Sequence, residues 1–252
     1  MGMVRRLLWG LAALLITVSA LQAAKKELVI GVENLNYYPY YDFSGKQYSG
    51  FFKELMERFG KAKGYQILFK PLPVKRLYSE LLESGQIDFK FPDNPHWGGE
   101  YKKGKTVLYS DGVVLFIDGV LVRPENREKD IGTIRRLGTI AGFTPWTFMD
   151  RIKKGTVENV EVRTMPALLK TTMAGRIDGA YVNISVARYI LEDVLGKKGK
   201  LLWNPNLPYD KAYYNLSTLH YPEILDEFNA FLREEKAMVK ALEKQFKIEI
   251  GE

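Results

Sequence analysis

The chain has 252 residues, 46% hydrophobic and 27% charged, a composition that can bury an ordinary globular core and excludes a disordered or fibrous protein. The absence of cysteine excludes disulfides and a lipid-modified cysteine. The formal net charge of +7 is spread along the chain without a nucleic-acid motif. We therefore expect a solvated basic surface that weakly steers anionic ligands, and no nucleic-acid partner.

The first 24 residues have the pattern of a secretory signal peptide. Arg5 and Arg6 precede an apolar run at 7–21, and small residues follow, so cleavage is expected after Ala20 or Ala23. The alternative is an uncleaved membrane anchor, but the run is shorter than the ~20 residues that a spanning helix needs. We predict a signal peptide at 1–24 and a mature protein in the periplasm without a lipid anchor.

Strands and helices alternate along the first part of the chain. The run at 28–32 (LVIGV) is typical of a buried strand, and the apolar spacing over 51–59 predicts a helix that Gly60 and Gly64 end. A strand is expected at 65–69 and a second helix at 75–82. This alternation favours parallel βαβ units.

A short internal repeat suggests that the chain contains two similar halves. The segment at 84–89 (SGQIDF) recurs at 174–179 (AGRIDG). In both copies the glycine is expected to end a helix in the left-handed conformation, the isoleucine to enter the core and the aspartate to begin a strand.

The second part of the chain continues the alternation. After a predicted strand at 137–141, the segment 142–145 (GFTP) is expected to open a helix, with Thr144 as its cap and Pro145 in its first turn. Further strands are predicted at 160–162, 179–182 and 213–219, and further helices at 166–173, 184–195, 222–232 and 236–246.

The order of these features resembles the type II periplasmic binding proteins, specifically the polar-amino-acid group called extracellular solute-binding protein family 3. The matching segments cover almost the whole mature chain: the strand LVIGV, the turn Tyr37-Tyr38-Pro39-Tyr40, Gly50-Phe51, SGQID at 84–88, Tyr109-Ser110, GRID at 175–178 and the C-terminal pair of helices.

The resemblance implies an α/β fold with two lobes, each a mostly parallel sheet flanked by helices, and a ligand cleft between them. It places lobe 1 at 25–115 plus 212–252 and lobe 2 at 116–211, with the chain crossing near 111–116 and 209–213. It implies a monomer without a cofactor that delivers a small polar or anionic molecule to the permease of an ABC-type importer. The alternatives are a ligand-sensing module of a membrane receptor and a dehydratase-like enzyme on the same fold.

Two positions depart from the amino-acid binders of this family. Where those proteins typically hold the ligand carboxylate with an arginine, this chain has Lys103, and where they hold the ammonium with an aspartate, it has Asn183. Asparagine accepts a hydrogen bond but carries no charge. The resemblance therefore leaves the ligand class open between amino-acid-like molecules and other carboxylates.

Several residues are candidate ligand contacts. Arg76 begins a predicted helix and can grip a carboxylate in two places, or it is a surface arginine. The predicted helix start at Gly142, Phe143 and Thr144 suits an anion, or it is simple capping. Rings for stacking are offered by aromatic residues that otherwise belong to the core: Tyr38, Tyr40, Trp97 and Trp146.

The loop at 92–97 (PDNPHW) offers one more candidate contact, Asp93, whose alternative role is turn formation. Asp93 and His96 lack the further ligands that a metal site needs, so we predict no metal. An enzyme would need a poised acid or base, for which Glu33 and Asp93 are the early candidates. Because no nucleophile or phosphate-binding motif is present, we predict a binding protein and not an enzyme.

Overall fold

The structure is a computed structural model that describes residues 26–43 and 47–248, so the predicted signal peptide at 1–24 lies outside the described residues. The strands are β1 Lys26–Glu33, β2 Asn36–Tyr37, β3 Tyr41–Asp42, β4 Tyr65–Leu72, β5 Phe89–Asp93, β6 Leu108–Tyr109, β7 Val114–Val122, β8 Arg136–Ile140, β9 Glu158–Val162, β10 Gly179–Asn183, β11 Leu202–Trp203 and β12 Asp210–Thr218. The α-helices are α1 Phe51–Lys63, α2 Val74–Ser79, α3 Gly99–Lys102, α4 Met149–Lys153, α5 Met165–Met173, α6 Ile184–Tyr189, α7 Pro222–Glu234 and α8 Lys236–Gln245.

The strands form one long sheet in the order β4-β1-β5-β12-β7-β10-β8-β9. We call β4, β1 and β5, which are parallel, the first half-sheet, and β10, β8 and β9, also parallel, the second half-sheet. This arrangement confirms the predicted α/β fold with mostly parallel sheets. Among the described helices, none combines the length and the hydrophobicity needed to cross a bilayer.

Strands β7 and β12 connect the two half-sheets. They pair antiparallel from Asp118 opposite Asp210 to Val114 opposite Tyr214. Beyond this point β12 pairs with β5, with Asn215 opposite Asp93. The chain thus passes between the half-sheets close to the predicted crossings at 111–116 and 209–213, whereas the exact lobe boundaries stay a prediction.

The internal repeat has the same structural role in both half-sheets. Gly85 and Gly175 both adopt the left-handed conformation, with φ of 62° and 69°. The carboxylate of Asp88 accepts a hydrogen bond of 2.7 Å from a backbone N–H of β1, and that of Asp178 accepts one of 2.7 Å from a backbone N–H of β8. Each aspartate therefore ties a helix–strand turn to the neighbouring strand of its own half-sheet.

The isoleucine of each repeat also has a matching environment, which confirms that it enters the core. A side chain at Gly31 in β1 would approach Ile87 to 2.4 Å, and one at Gly138 in β8 would approach Ile177 to 2.4 Å. Both central strands therefore need glycine where the isoleucine packs closely against them.

Three details of the predicted helices are wrong. Gly60 lies inside α1, where it allows close contact with Ile67, and Gly64 alone ends the helix with φ of 79°. Thr144 does not cap a helix, because the segment after it is a single 3-10 turn that begins behind Pro145. The helices predicted at 75–82 and 184–195 both change into a wider π turn, at 80–84 and 190–194.

Candidate functional site

A cavity of about 490 Å³ opens where the two half-sheets meet. Its walls come from the segment after β5, the segment after β8 and the connecting strand β12: Asn94, His96, Trp97, Trp146, Thr147, Asp210 and Ala212. The carboxyl ends of parallel strands are the usual ligand-binding edge of α/β sheets. The cavity therefore lies where a ligand cleft is expected, and it contains two of the predicted contacts, Trp97 and Trp146.

Aromatic rings form one side of this cavity. The ring centre of Trp97 lies 5.7 Å from that of Phe116 on β7 and 5.8 Å from that of Tyr214 on β12. Phe116 and Tyr214 stack on each other at 4.4 Å. Trp146, from the segment after β8, also lines the cavity and is 51% exposed. The stacked rings hold Trp97 in place, whereas half of the surface of Trp146 is exposed.

A row of polar side chains crosses the connecting strands beside the rings. Asn183 on β10 and Asp210 on β12 are the direct strand partners of Asp118 on β7, so the three side chains project from the same face of the sheet. Burial raises the pKa of Asp118 to about 7, and the negative charge of Asp210 adds to the increase. Two carboxylates without a cationic ion-pair partner among the described residues thus lie side by side.

One buried polar atom beside the cavity, Oδ1 of Asp118, has no hydrogen-bond partner among the described residues. The hydroxyl of Tyr181 on β10 has Thr147 of the cavity wall within hydrogen-bonding reach, and the charges of Asp118 and Asp210 lie close to it. Unsatisfied buried polar atoms are rare, because each one costs desolvation energy.

Asp118 and Asp210 did not emerge as candidates from the sequence. The available signal is the position of Asp118, where a charged residue interrupts the otherwise apolar run at 113–122. Such an aspartate in a strand needs a partner or a function.

Asn183 is fully buried and makes hydrogen bonds within the protein. Its side-chain oxygen accepts from the backbone N–H groups of Ser185 and Val186 at 3.0 and 3.1 Å, which caps α6. Its amide donates to the hydroxyl of Tyr214 at 3.4 Å. Asn183, one of the predicted ligand contacts, is therefore the cap of α6.

Asp93 is fully buried and has partners on both carboxylate oxygens. Oδ1 accepts from the ammonium of Lys102 at 2.8 Å and from the backbone N–H of Asn94 at 2.8 Å, and Oδ2 accepts from the hydroxyl of Ser217 at 2.7 Å. The ammonium of Lys90 lies 3.5 Å from Oδ1. A ligand could reach Asp93 only by displacing one of these groups. Lys103, in contrast, is exposed.

The other predicted aromatic contacts lie outside the cavity lining. Tyr40 is fully buried and donates to the carbonyl of Leu115 at 3.1 Å. Tyr38 packs on Tyr189 of α6, with ring centres 4.5 Å apart. Phe143 approaches Tyr37 at 6.0 Å. These pairs join the segment after β1 to β7, to α6 and to the segment after β8. Gly142 and Thr144, beside Phe143, are exposed, and Gly142 has φ of 86°.

Arg76 lies on the surface and forms an ion pair of 2.9 Å with Glu80, one turn further along the helix. Glu80 is buried but also pairs with Lys70 at 2.6 Å, and Arg76 itself is exposed, so Arg76→Ala should change the free energy of unfolding by less than ~1 kcal/mol. The sequence-based prediction is that the same substitution abolishes the binding of a carboxylate ligand while leaving the fold intact. Urea unfolding measures the first effect, and calorimetric titration with any carboxylate that the wild type binds measures the second. Unchanged affinity for a bound carboxylate would remove Arg76 from the site.

The sheet order and the cavity between the half-sheets define the fold of the periplasmic binding proteins. A solved structure described as an arginine 3rd transport system periplasmic binding protein from Legionella pneumophila is similar over 88% of this chain and 99% of its own, with 15% identity and a TM-score of 0.65. A histidine kinase sensor domain with similarity to periplasmic binding proteins matches 88% of this chain and 96% of its own, with 17% identity and a TM-score of 0.68.

A third solved structure, the ancestral amino acid-binding protein AncCDT-1, is described as a precursor of cyclohexadienyl dehydratase. It covers 87% of this chain and 95% of its own, with 18% identity and a TM-score of 0.65. Comparison with protein-family models and with curated proteins finds no match. The three similarities confirm the predicted type of fold. Because the sequences have diverged so far, they do not carry over a ligand.

Proposed function

We propose that this chain is a solute-binding protein that encloses a small polar molecule in the cavity between its half-sheets. The observation that carries the proposal is the cavity itself, since its two tryptophans come from the segments after β5 and β8, on opposite half-sheets. A volume of about 490 Å³ suits a ligand of the size of an amino acid or a small amine. Motion about the two connecting strands would close Trp97 and Trp146 over it.

The proposed location is the periplasm, after removal of the predicted signal peptide, and the proposed partner is the permease of an ABC-type importer. The likeness to a transport-system binding protein supports this role. The likeness to a histidine kinase sensor domain supports the alternative, in which the same cavity reports its ligand to a membrane receptor. Co-purification of the chain with a permease or with a receptor would distinguish the two.

An enzyme on this fold is the third possibility, supported by the likeness to a dehydratase precursor. The early acid–base candidates are engaged elsewhere: Glu33 is buried and accepts a hydrogen bond of 2.5 Å from Tyr41, and Asp93 has the partners described above. Incubation of a bound compound with the protein, followed by chromatography, would reveal turnover.

A thermal-shift screen of the mature protein tests the proposed function. A ligand at 100 times its Kd should add ~2.7 kcal/mol of stability and raise the melting temperature. Trp146→Ala should then weaken binding of the ligand by roughly 2- to 10-fold, because it removes one aromatic wall of the cavity. Since Trp146 is half exposed, this substitution leaves the core intact.

Tyr101→Ala is the matched control, because Tyr101 is an exposed aromatic residue outside the cavity lining. It should leave the affinity unchanged. Equal effects of the two substitutions, or a ligand whose affinity does not respond to Trp146→Ala, would contradict binding in this cavity.

A further inference from the structure

We propose that the cavity selects a small organic cation with N–H groups, a primary ammonium or a guanidinium, held against the carboxylate of Asp210 and between the faces of Trp97 and Trp146. The inference rests on the proposed function and specifies its ligand class. A cationic ligand differs from the sequence-based expectation, in which the net charge of +7 favours an anionic ligand.

The charges around the cavity favour a cation. Asp210 lines the cavity, and Asp118 lies directly beside it as its strand partner. Within residues 26–43 and 47–248, neither carboxylate forms an ion pair with a lysine or arginine. His96 is the basic side chain among the lining residues. Two neighbouring carboxylates repel each other, so a bound cation would relieve an unfavourable interaction in addition to forming a favourable one.

The aromatic rings favour the same class of ligand. A cation is attracted to the face of a tryptophan more strongly than to any other ring. The cavity has two tryptophans in its lining, and the stacked rings of Phe116 and Tyr214 support one of them. A carboxylate ligand in the same place would be repelled both by the negative faces of the rings and by the carboxylate of Asp210.

An unpartnered atom distinguishes between kinds of cation. Oδ1 of Asp118 is a buried acceptor without a donor among the described residues. It lies beside Asp210, the direct strand partner of Asp118. An ammonium or guanidinium supplies N–H donors that can satisfy such an acceptor directly or through water, whereas a quaternary ammonium supplies none. The site therefore fits a cation that donates hydrogen bonds.

Calorimetric titration of the mature protein with three probes tests the inference: agmatine, which carries a guanidinium and an ammonium; choline, whose nitrogen has no N–H; and succinate, a dianion. Agmatine is expected to bind at least 10-fold more tightly than choline, and succinate is expected not to bind. Asp210→Asn should weaken agmatine binding on the order of 10- to 100-fold, because a hydrogen-bonded charge pair is lost.

Asp226→Asn, on an exposed position of α7, is the matched control and should leave the affinity for agmatine unchanged. Melting temperatures of both variants without ligand verify that they are folded. Unchanged agmatine affinity in Asp210→Asn would overturn the assignment to this cavity, and choline binding as tightly as agmatine would overturn the hydrogen-bonding requirement.

The probes also separate this inference from the proposed function. If succinate or a neutral solute binds in a way that depends on Trp146 while agmatine does not bind, the cation preference is wrong and the solute-binding function stands. If agmatine binds equally well to the wild type, to Asp210→Asn and to Trp146→Ala, both the cation site and the cavity as the ligand site are wrong. If none of the three probes binds, the cation proposal is overturned.

Discussion

The substitution Asp118→Asn is expected to stabilise the unliganded protein at pH 8 and to have little effect near pH 4. The carboxyl group of Asp118 has a pKa of about 7 in the folded protein, mainly because it is buried, against 3.8 as its ordinary value. Between these two pH values the folded state holds a proton that the unfolded state has lost. The contribution of this group to stability therefore decreases as the pH rises from about 4 to about 7.

The size of the effect follows from the shift. One pKa unit corresponds to about 1.4 kcal/mol, so above pH 7 the ionised carboxylate destabilises the folded state by up to about 4 kcal/mol relative to a neutral side chain. Asparagine has nearly the same shape and no charge at any of these pH values. Urea unfolding of the two proteins at several pH values from 4 to 8 measures the difference, which should grow with pH.

Two further variants test whether the pH-dependent gain in stability is specific to Asp118. Asp226→Asn, which removes an exposed carboxylate, should show no such pH-dependent gain. Asp210→Asn should reduce the pH dependence only in part, because the charge of Asp210 is a smaller cause of the shift than burial. A stability difference between wild type and Asp118→Asn that stays constant from pH 4 to pH 8 would contradict the raised pKa.

A carboxylate that destabilises the folded protein has a physical explanation if the site binds a cation. Active and binding sites commonly hold groups that lower stability, because the same groups interact strongly with the ligand. Under this interpretation agmatine at saturating concentration should stabilise the wild type at pH 8 more than it stabilises Asp118→Asn. The gain in stability and the loss of affinity in Asp118→Asn would then both result from removing the charge of Asp118.

Much of the fold could be predicted because its signals are local. The glycine–isoleucine–aspartate repeat encodes a left-handed helix end, a core contact and a strand start within six residues, and both copies form as predicted. The prediction that Thr144 caps a helix failed because of the local path of the chain. The chain after β8 makes only a single turn before α4, so the cap geometry expected from the sequence does not form.

The candidate site was harder to predict because it depends on strand pairing. Asp118 and Asp210 are 92 positions apart in the sequence and become neighbours only through the register of β7 and β12. Trp97 and Trp146 could be named from their loops, since segments after parallel strands commonly face a cleft. The partners that occupy Asp93 could not be foreseen, because Ser217 joins them from a strand far along the chain.

The largest loss of stability is expected from Asp93→Ala, because Asp93 balances two lysines that are shielded from water. Lys90 is fully buried, and the side chain of Lys102 is 9% exposed. Both ammonium groups also lie over the ring of Tyr78, at 4.8 and 5.5 Å. Burial lowers the pKa of Lys102, and the charge of Asp93 opposes this decrease. The carboxylate is therefore the main reason why Lys102 can remain charged inside the protein.

Removing the carboxylate leaves these charges without their partner, although Glu33 remains close enough to interact with Lys90. Breaking a buried ion pair from one side typically costs about 3–5 kcal/mol, so Asp93→Ala should lower the free energy of unfolding by roughly 3 kcal/mol or more. Urea unfolding at pH 7 measures the loss. Lys103→Ala, at an exposed lysine next to Lys102, is the control and should change the stability by less than about 0.5 kcal/mol.

The same variant decides between a structural role for Asp93 and the ligand contact predicted from the sequence. A side chain that serves mainly to bind a ligand could be replaced with little effect on the unliganded protein, and Asp93→Ala would then lower affinity while leaving the unfolding curve unchanged. Asp93 instead forms hydrogen bonds with Asn94 and Ser217 and ion pairs with two lysines. We therefore expect Asp93→Ala to lower mainly the stability of the unliganded protein. Because Asn94 also lines the cavity, any loss of affinity should appear together with the loss of stability and not without it.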